Sequence, residues 1–291
     1  MEQVILDEKY TLDRILAKGG LGMIYRGTNK ENGQPVAIKI IQMKALQGSL
    51  IEETTVLKAL QGIEGIPTLY WDGYRNGRYF TVMELLGKDL HKKYHGKCSV
   101  RDVSIIAQQV LKTLECIHDK GYLHLDLKTG NLMVGNTNPN AIYTVDFGGA
   151  TKYLDENGDH IEHSEKFEFK CFTYLFATSN MLKEKSPSRK DDMLLFGYVL
   201  LDLLSSLPWN SDDDDDSMIQ KRLDLCGPLR EKVFGHLPKQ FYQYIDYCEK
   251  LEYKQRPDYE HLRSLFQDMF TEQGFHGEGI LSENLEEKKN N

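Results

Sequence analysis

The strongest constraint in this sequence is a change of hydrophobic pattern near residue 87. Before it, the chain carries short β-prone runs separated by turn signals such as Glu31-Asn32-Gly33, a pattern typical of a small antiparallel sheet. After it, apolar residues recur at threes and fours, with Gly121 as a stop signal, which is typical of helices. The sequence therefore predicts an α+β protein, β-rich over 1–86 and helical over 87–280, with a polar tail at 281–291 that we expect to be disordered. The predicted strands are Tyr10 to Leu16, Gly22 to Arg26, Pro35 to Ile41, Thr68 to Trp71 and Arg78 to Met83.

One helix is predicted inside the β-rich region. We expect it to begin at Ser49, because Ser49 and Glu52 have the spacing of a capping box, and to end before Gly62. Glu53 shares a helix face with the leucines four and seven positions later, so its carboxylate is expected to point toward the protein.

Composition excludes several classes of protein. Apolar residues make up 40% of the 291 residues and charged residues 27%, which is typical of a globular chain with a sizeable core. Lys and Arg number 36 against 44 Asp and Glu, and the net charge of −8 argues against nucleic acid or an anionic membrane as a partner. Any anion site must be local.

The cysteines and the apolar stretches indicate a compartment. The five cysteines lack the paired spacings of a zinc site or a disulfide framework, and no secretory signal opens the chain. The most apolar stretch, Met193 to Leu207, is too short to span a bilayer and contains Asp202. We expect an intracellular monomer, in the cytoplasm or the nucleus, without a membrane partner.

A glycine-rich segment lies between the first two predicted strands. It contains Gly19, Gly20 and Gly22 after Ala17, and glycines let a backbone bend over phosphates and present its N–H groups. The segment predicts a nucleotide-binding loop. By itself it is equally compatible with an ordinary hairpin turn.

A lysine interrupts an apolar strand seventeen residues after Gly22. Lys39 ends the run Val36-Ala37-Ile38-Lys39, and a cation in such a strand needs an anionic partner, because burying it unpaired is costly. The candidates are nucleotide phosphates and Glu53 of the predicted helix. The alternative is that Lys39 extends into solvent from an edge strand.

The densest polar cluster runs from His124 to Asn131 and is followed fifteen residues later by Asp146. Two acids and an amide suit magnesium, which prefers a few hard oxygen ligands and shares the rest with phosphates and water. We expect Asp126 to accept the proton of an attacking hydroxyl and Lys128 to neutralise the transferring phosphoryl group, while Asn131 and Asp146 hold the metal and Lys39 clamps the nucleotide phosphates. His124 is expected to be a packed, hydrogen-bonded histidine rather than a base.

In order along the chain, these motifs resemble the protein-kinase signature. They are the glycine-rich loop, Val36-Ala37-Ile38-Lys39, the helix Glu53, the catalytic segment around Asp126, and Asp146-Phe147-Gly148. The resemblance implies a two-lobed protein-kinase fold. A lysine two residues after Asp126, here Lys128, resembles the pattern of the serine/threonine branch of that family. It also implies transfer of the γ-phosphoryl group of Mg-ATP to Ser and Thr hydroxyls of protein substrates.

A closer resemblance, to the casein kinase I family, covers about Tyr10 to Phe275. It implies that Met83 is the gatekeeper, that Glu84 to Leu86 form the adenine-binding hinge, and that Thr173 lies beside Asp126. It also implies that Leu16, Ala17, Ile24 and Ala37 help to bind ATP, and that Asp192 braces the catalytic loop. The motifs are Gln61-Gly62 with Gly65 to Thr68, Met83 to Gly87, Ser188 to Asp192 with Gly197 to Leu200, Leu207 to Trp209, and Pro257 to Tyr259.

The chain departs from these patterns at several positions. Ala17 stands where the first loop glycine is usual, and its methyl group costs about 1 kcal/mol if the backbone there needs a positive φ. Leu125 replaces the arginine that pairs with a phosphorylated activation segment in many kinases. Leu175 replaces an arginine of the family's anion site, and the run Asp212 to Asp216 is expected to be a solvated surface loop.

Two hypotheses follow. The first is an active serine/threonine kinase, and the second is a kinase-fold binding or scaffold protein that has lost catalysis. Only Ala17 and Leu125 support the second. The charged and amide residues that the chemistry needs are all present, which favours the enzyme.

Overall fold

The computed structural model describes residues 5–18, 22–41, 47–95, 98–276 and 279–282. Its N-terminal part is a six-stranded antiparallel sheet in the order β1-β2-β3-β4-β6-β5. One helix, α1 (Gln47–Ala59), lies between β4 and β5 in the chain. The strands are β1 (Ile5–Leu6), β2 (Tyr10–Lys18), β3 (Gly22–Asn29), β4 (Pro35–Ile41), β5 (Leu69–Arg75) and β6 (Arg78–Glu84).

The remaining elements are mainly helical, so the predicted α+β architecture is confirmed. Two short pairs accompany the helices, with β8 antiparallel to β9 and β7 antiparallel to β10. The helices are α2 (Leu90–Tyr94), α3 (Val100–Asp119), α4 (Ser179–Leu182), α5 (Arg189–Leu204), α6 (Asp215–Leu223), α7 (Arg230–Phe234), α8 (Lys239–Glu249) and α9 (Tyr259–Glu272). The short strands are β7 (Tyr122–Leu123), β8 (Leu132–Val134), β9 (Ile142–Thr144) and β10 (Thr151–Lys152).

Helix α5 is the centre of the helical part. Met193, Phe196, Tyr198 and Val199 are all 0% exposed, as the all-round apolar pattern predicts. The helix begins earlier than the apolar stretch because Ser188 caps it in a capping box with Asp191. Its first turn therefore brings two acids, Asp191 and Asp192, into the core.

The predicted start of α1 is wrong. Ser49 lies inside the first turn of a helix that already includes Gln47, so Ser49 is not its N-cap. Glu52 faces another element, and its carboxylate lies 3.0 Å from Lys170 Nζ. The predicted face of Glu53 is confirmed, because Leu57 and Leu60 are buried beneath it.

The acidic run is not simply a surface loop, because its second half begins a helix. Asp214 caps α6 by accepting a hydrogen bond from Ser217 N, and Asp215 and Asp216 occupy the first turn, where the helix dipole favours negative charge. Asp213 lies 2.6 Å from Lys221 Nζ. Much of this charge therefore stabilises α6.

Among the helices of the described ranges, none combines the length and the apolar character needed to cross a bilayer. The longest is α3, which carries a polar face along its whole length.

Candidate active site

The glycine-rich segment meets the sheet at Gly22. A Cβ added there would lie 2.4 Å from the Ile40 carbonyl oxygen on β4, so only glycine fits. Ala17 lies in β2 opposite Ile24 and has no positive φ, so its methyl group carries no left-handed strain. Gly19 and Gly20, predicted to cradle phosphates, lie outside the described residues.

Lys39 occupies a central strand. The core side of β4 carries Val36, Ile38 and Ile40, which are buried, while Ala37 and Lys39 alternate with them on the opposite face. Because β4 pairs with both β3 and β6, the alternative that Lys39 extends from an edge strand is wrong.

Lys39 binds two carboxylates. Its Nζ donates to both Glu53 oxygens at 2.7 Å and to Asp146 Oδ1 at 3.1 Å. Burial lowers the pKa of Lys39, but Glu53 and Asp146 outweigh it and the pKa is raised above its ordinary value. Burial also raises the pKa of Glu53, against the attraction of Lys39. Lys39 is therefore held protonated between Glu53 and Asp146.

Asp146 has an unusual backbone. Its φ of 66° and ψ of 76° are left-handed, which costs a residue with a side chain about 1–2 kcal/mol. The next residue, Phe147, is buried with its ring 5.1 Å from the His124 ring. Burial raises the pKa of Asp146, but Lys39 outweighs it and the pKa lies below its ordinary value. The result is a strained, ionised carboxylate that is 42% exposed.

The segment around Asp126 is held by hydrogen bonds to Asp192 of α5. Asp192 accepts hydrogen bonds from His124 N at 2.7 Å, from Leu125 N at 2.8 Å and from His118 Nε2 at 2.9 Å. Burial raises the pKa of Asp192, but these donors outweigh it and the pKa is lowered. Leu125 has a left-handed φ of 61° and a side chain buried in the core. A carboxylate in the core thus fixes a strained loop.

His124 has the packed environment that we expected. It is 0% exposed, and its Nδ1 accepts a hydrogen bond from Asp126 N at 3.2 Å. The ring proton is therefore on Nε2, which lies 3.1 Å from the Val145 carbonyl oxygen.

Both oxygens of Asp126 have partners. Oδ1 accepts from Thr173 Oγ1 at 2.7 Å, and Oδ2 accepts from Lys128 Nζ at 2.7 Å and from Asn131 Nδ2 at 3.0 Å. Lys128 also donates to Thr173 Oγ1 at 2.8 Å. Four of the predicted site residues therefore form one hydrogen-bonded group around a carboxylate.

The family model for the protein kinase domain matches residues 10–267. The chain belongs to the protein kinase family. The match spans strands β2 to β6 of the sheet, the Lys39 cluster, the Asp126 group and most of the helical part, and it supports the two-lobed kinase fold.

The kinase hinge expected from the sequence follows β6. Met83 lies opposite Ala37 on β4, so both side chains lie on the face of the sheet that carries Lys39. Glu84 ends the strand, and Gly87 N donates to the Val134 carbonyl oxygen at 2.8 Å, which fixes the connection to the helical lobe. Leu16 is 39% exposed on β2, an open apolar surface of the kind that a base covers.

The activation segment of this kinase, from Asp146 to Ala177, touches α1. Lys170 pairs with Glu52, and Lys152 lies over the Tyr122 ring at 5.8 Å. Lys152 and Lys170, two of the three lysines of this segment, therefore have other partners, while the third, Lys166, is exposed.

Three supporting residues were not predicted from the sequence. His118 steadies Asp192 and contacts the Tyr259 hydroxyl through its other ring nitrogen. Trp209 and Arg222 donate to the Leu175 carbonyl oxygen. A histidine on the apolar side of α3 is a signal for His118. Arg222 follows Met218 by four residues and precedes Leu225 by three, so helical spacing places it on an apolar face, although an arginine is rarely expected to be buried.

Among the described residues, no group of three or more His, Cys, Asp or Glu side chains could hold a metal ion unaided. Asp146 nevertheless suits magnesium, because it is ionised, partly exposed and a hard oxygen donor. Asn131 donates from its amide nitrogen to Asp126, so its amide oxygen is the atom that would coordinate a metal. The residues therefore fit a metal that phosphates and water also coordinate.

Proposed function

We propose that this kinase is an active serine/threonine protein kinase that transfers the γ-phosphoryl group of Mg-ATP to protein substrates. The observation that carries the proposal is the Asp126 group, in which one carboxylate oxygen meets Thr173 and the other meets Lys128 and Asn131. An oriented carboxylate beside a lysine is what a hydroxyl acceptor needs.

On the nucleotide side, Lys39 would bind the α- and β-phosphates while Glu53 holds its side chain in place. Its two carboxylate partners support this role, because they keep the ammonium charged and aimed at the cleft. In the same proposal, the adenine base of ATP binds near the end of β6, and the glycine-rich loop covers the phosphates. The residues assigned to it are Leu16, Ala17, Gly19, Gly20, Gly22, Ile24, Ala37, Met83, Glu84 and Leu86.

Asn131 and Asp146 would hold magnesium. When bound, the metal would neutralise charge on the phosphates and orient them for in-line transfer. Asp146 supplies a carboxylate that Lys39 keeps ionised, and Asn131 is fixed by its bonds to Asp126.

On the acceptor side, Asp126 would orient the hydroxyl and accept its proton. Lys128 would neutralise charge on the phosphoryl group as the bond to the acceptor oxygen forms. Thr173 would tie the activation segment to both residues, since its hydroxyl lies within hydrogen-bond distance of each.

Specificity of the casein kinase I type is the finer part of the proposal. Lys128 and Thr173 support a Ser/Thr acceptor, and the motifs between Gln61 and Tyr259 support the family. We also assign residues 1–86 to the ATP-binding lobe, 87–280 to the catalytic lobe and 281–291 to a tail. An intracellular monomer is also part of the proposal, and the cysteine spacings, which lack the pairing of a disulfide framework, support a reducing compartment.

The test is phosphoryl transfer from γ-labelled ATP to mixed protein substrates, with magnesium or with a chelator. We expect labelled phosphoserine and phosphothreonine with magnesium only, and none with Asp126→Asn. Labelled phosphotyrosine would contradict the Ser/Thr assignment. ATP binding without transfer would instead favour a kinase-fold binding protein.

A further inference from the structure

A tight turn of the activation segment lies next to Asp126. In this Thr173–Ala177 turn, the amides of Phe176 and Ala177 donate to the Thr173 carbonyl oxygen at 3.0 and 3.1 Å. The Leu175 carbonyl inside this turn faces Trp209 and helix α6. Its partners there are side chains, because Trp209 Nε1 donates to it at 2.8 Å and Arg222 Nη2 at 3.2 Å.

Arg222 is an unusual residue for such a position. It is 0% exposed, its guanidinium lies 4.4 Å from the Trp209 ring, and in the described ranges it forms no salt bridge with a carboxylate. Desolvation lowers its pKa to about 10. A buried charge is costly, so the attraction of Asp213 and the hydrogen bonds to carbonyl oxygens have to offset that cost.

The carbonyl bonds of Arg222 join two elements. Nη1 donates to Met218 of its own helix α6 at 3.0 Å, while Nη2 reaches the Tyr174 and Leu175 carbonyls. A planar guanidinium can make these bonds together, whereas an ammonium group cannot reproduce the fork. Arg222 therefore links α6 to the turn through backbone atoms.

The turn is also fixed at both ends. Thr173 binds Asp126 and Lys128, and Thr178, the residue after the turn, donates to Asp191 of α5 at 2.6 Å. A peptide that brings a hydroxyl to Asp126 must pass this turn, because Thr173 lies against the carboxylate. The backbone shape of the turn then decides how well the peptide fits.

We propose that Arg222 and Trp209 are positioning residues for the acceptor peptide, which they serve by holding the Leu175 carbonyl and hence the Thr173–Ala177 turn. This inference rests on the proposed kinase function. Neither side chain reaches the nucleotide side, so their loss affects the peptide and not ATP.

The decisive variant is Trp209→Phe, which removes the N–H donor and keeps an aromatic ring beside Arg222. We expect the KM for a peptide substrate to rise about two- to tenfold, the value of one neutral hydrogen bond, with kcat and the KM for ATP unchanged. Arg222→Met should give a larger rise in peptide KM. Arg222→Lys should not restore the wild-type value.

Tyr244→Phe is the matched control. Tyr244 is buried and donates from its hydroxyl to the Met193 carbonyl oxygen at 2.9 Å, so this variant also removes one buried bond from an aromatic side chain to the backbone. It should leave the peptide KM unchanged. Equal changes in the KM values for peptide and ATP in Trp209→Phe would overturn the proposal.

Hydrogen exchange provides a readout that does not depend on activity. The amides of Phe176 and Ala177 close the turn and should exchange faster in Trp209→Phe than in wild type or Tyr244→Phe. Unchanged exchange at both amides would overturn the proposal. A wild-type protein without transfer activity would contradict the kinase function, and the exchange experiment would still decide whether these side chains hold the turn.

Discussion

The nucleotide side and the acceptor side of the site are built differently. Lys39, Glu53 and Asp146 form a cluster of three charges at the edge of the cleft, held by two ion pairs. Asp126 and Thr173 belong to a group in which most contacts are hydrogen bonds, and the turn beside it is held through backbone carbonyls. In the first arrangement, the charged side chains can exchange their ion pairs for contacts with a charged ligand. In the second, the hydrogen bonds that orient Asp126 are already formed. Substitutions on the two sides should therefore have separable effects on ATP binding and on transfer.

The largest effect is expected on the acceptor side, from Asp126→Asn. Removing a positioned general base lowers the rate of transfer by about 10²- to 10⁴-fold. Because Asp126 does not contact the Lys39 cluster, the dissociation constant for ATP should stay the same. Steady-state kinetics and ATP titration measure the two effects, with the exposed Asp268→Asn as control. An unchanged kcat in a folded Asp126→Asn variant would remove the assignment.

A comparable loss is expected on the nucleotide side, from Lys39→Met. The variant removes the proposed phosphate clamp and leaves Glu53 and Asp146 without their shared cation, so transfer should fall by about 10²- to 10⁴-fold. Unlike Asp126→Asn, it should also weaken ATP binding. The exposed Lys30→Met is the control. Wild-type ATP affinity in Lys39→Met would contradict the assignment of Lys39 to ATP binding.

Two neighbouring acids of α5 allow a test of how the acceptor side is anchored. Asp191 is buried and accepts hydrogen bonds from the Thr178 hydroxyl and Ser188 N, and burial raises its pKa to about 6. A raised pKa means that the folded state prefers the protonated acid, so this stability is lost as the pH rises from about 4 to above 6. Relative to Asp191→Asn, wild type should lose about 3 kcal/mol of unfolding free energy over that range.

Urea unfolding of wild type and Asp191→Asn at about pH 4 and pH 7 gives the unfolding free energies. A change in stability that Asp191→Asn causes equally at both pH values cancels when the two pH values are compared. Asp192→Asn provides the opposite sign, because the pKa of Asp192 is lowered and its stabilisation is lost as the pH falls. A difference between wild type and Asp191→Asn that does not change with pH would contradict the account.

A smaller effect is expected from Leu175→Arg. In wild type, a peptide phosphorylated upstream of its acceptor should be at most a few-fold better than its unphosphorylated twin, because Leu175 packs against the core and the Arg222 guanidinium beneath it faces backbone atoms. An arginine there should widen the preference by about ten- to a hundredfold, the value of one arginine–phosphate contact. Leu175→Met is the neutral control. A wild-type preference above about thirtyfold would mean that other cations rebuild the pocket.

The sequence predicts the nucleotide side better than the acceptor side. Lys39 and Glu53 follow from strand and helix periodicity, because a charge on a buried face needs a partner. The position of Thr173 beside Asp126 was implied only by family resemblance, since the two residues lie 47 positions apart. Arg222 shares a helix face with Met218 and Leu225, but a charged side chain is rarely fully buried, so the pattern alone does not predict a guanidinium beneath a turn. The Ser49 cap failed because Ser49 lies within the helix.

Under the proposed function, the protein's own contacts hold the activation segment in the arrangement needed for phosphoryl transfer. Leu125 offers no charge to a phosphate, Lys170 pairs with Glu52, and Thr173 binds Asp126 directly. The direct test is the rate of peptide phosphorylation before and after complete treatment with a phosphatase, verified by mass spectrometry. We predict an unchanged rate. A drop of about tenfold or more, the value of one charge-assisted contact, would contradict the claim and would indicate that another cation, such as Lys152 or Lys170, binds an activating phosphate.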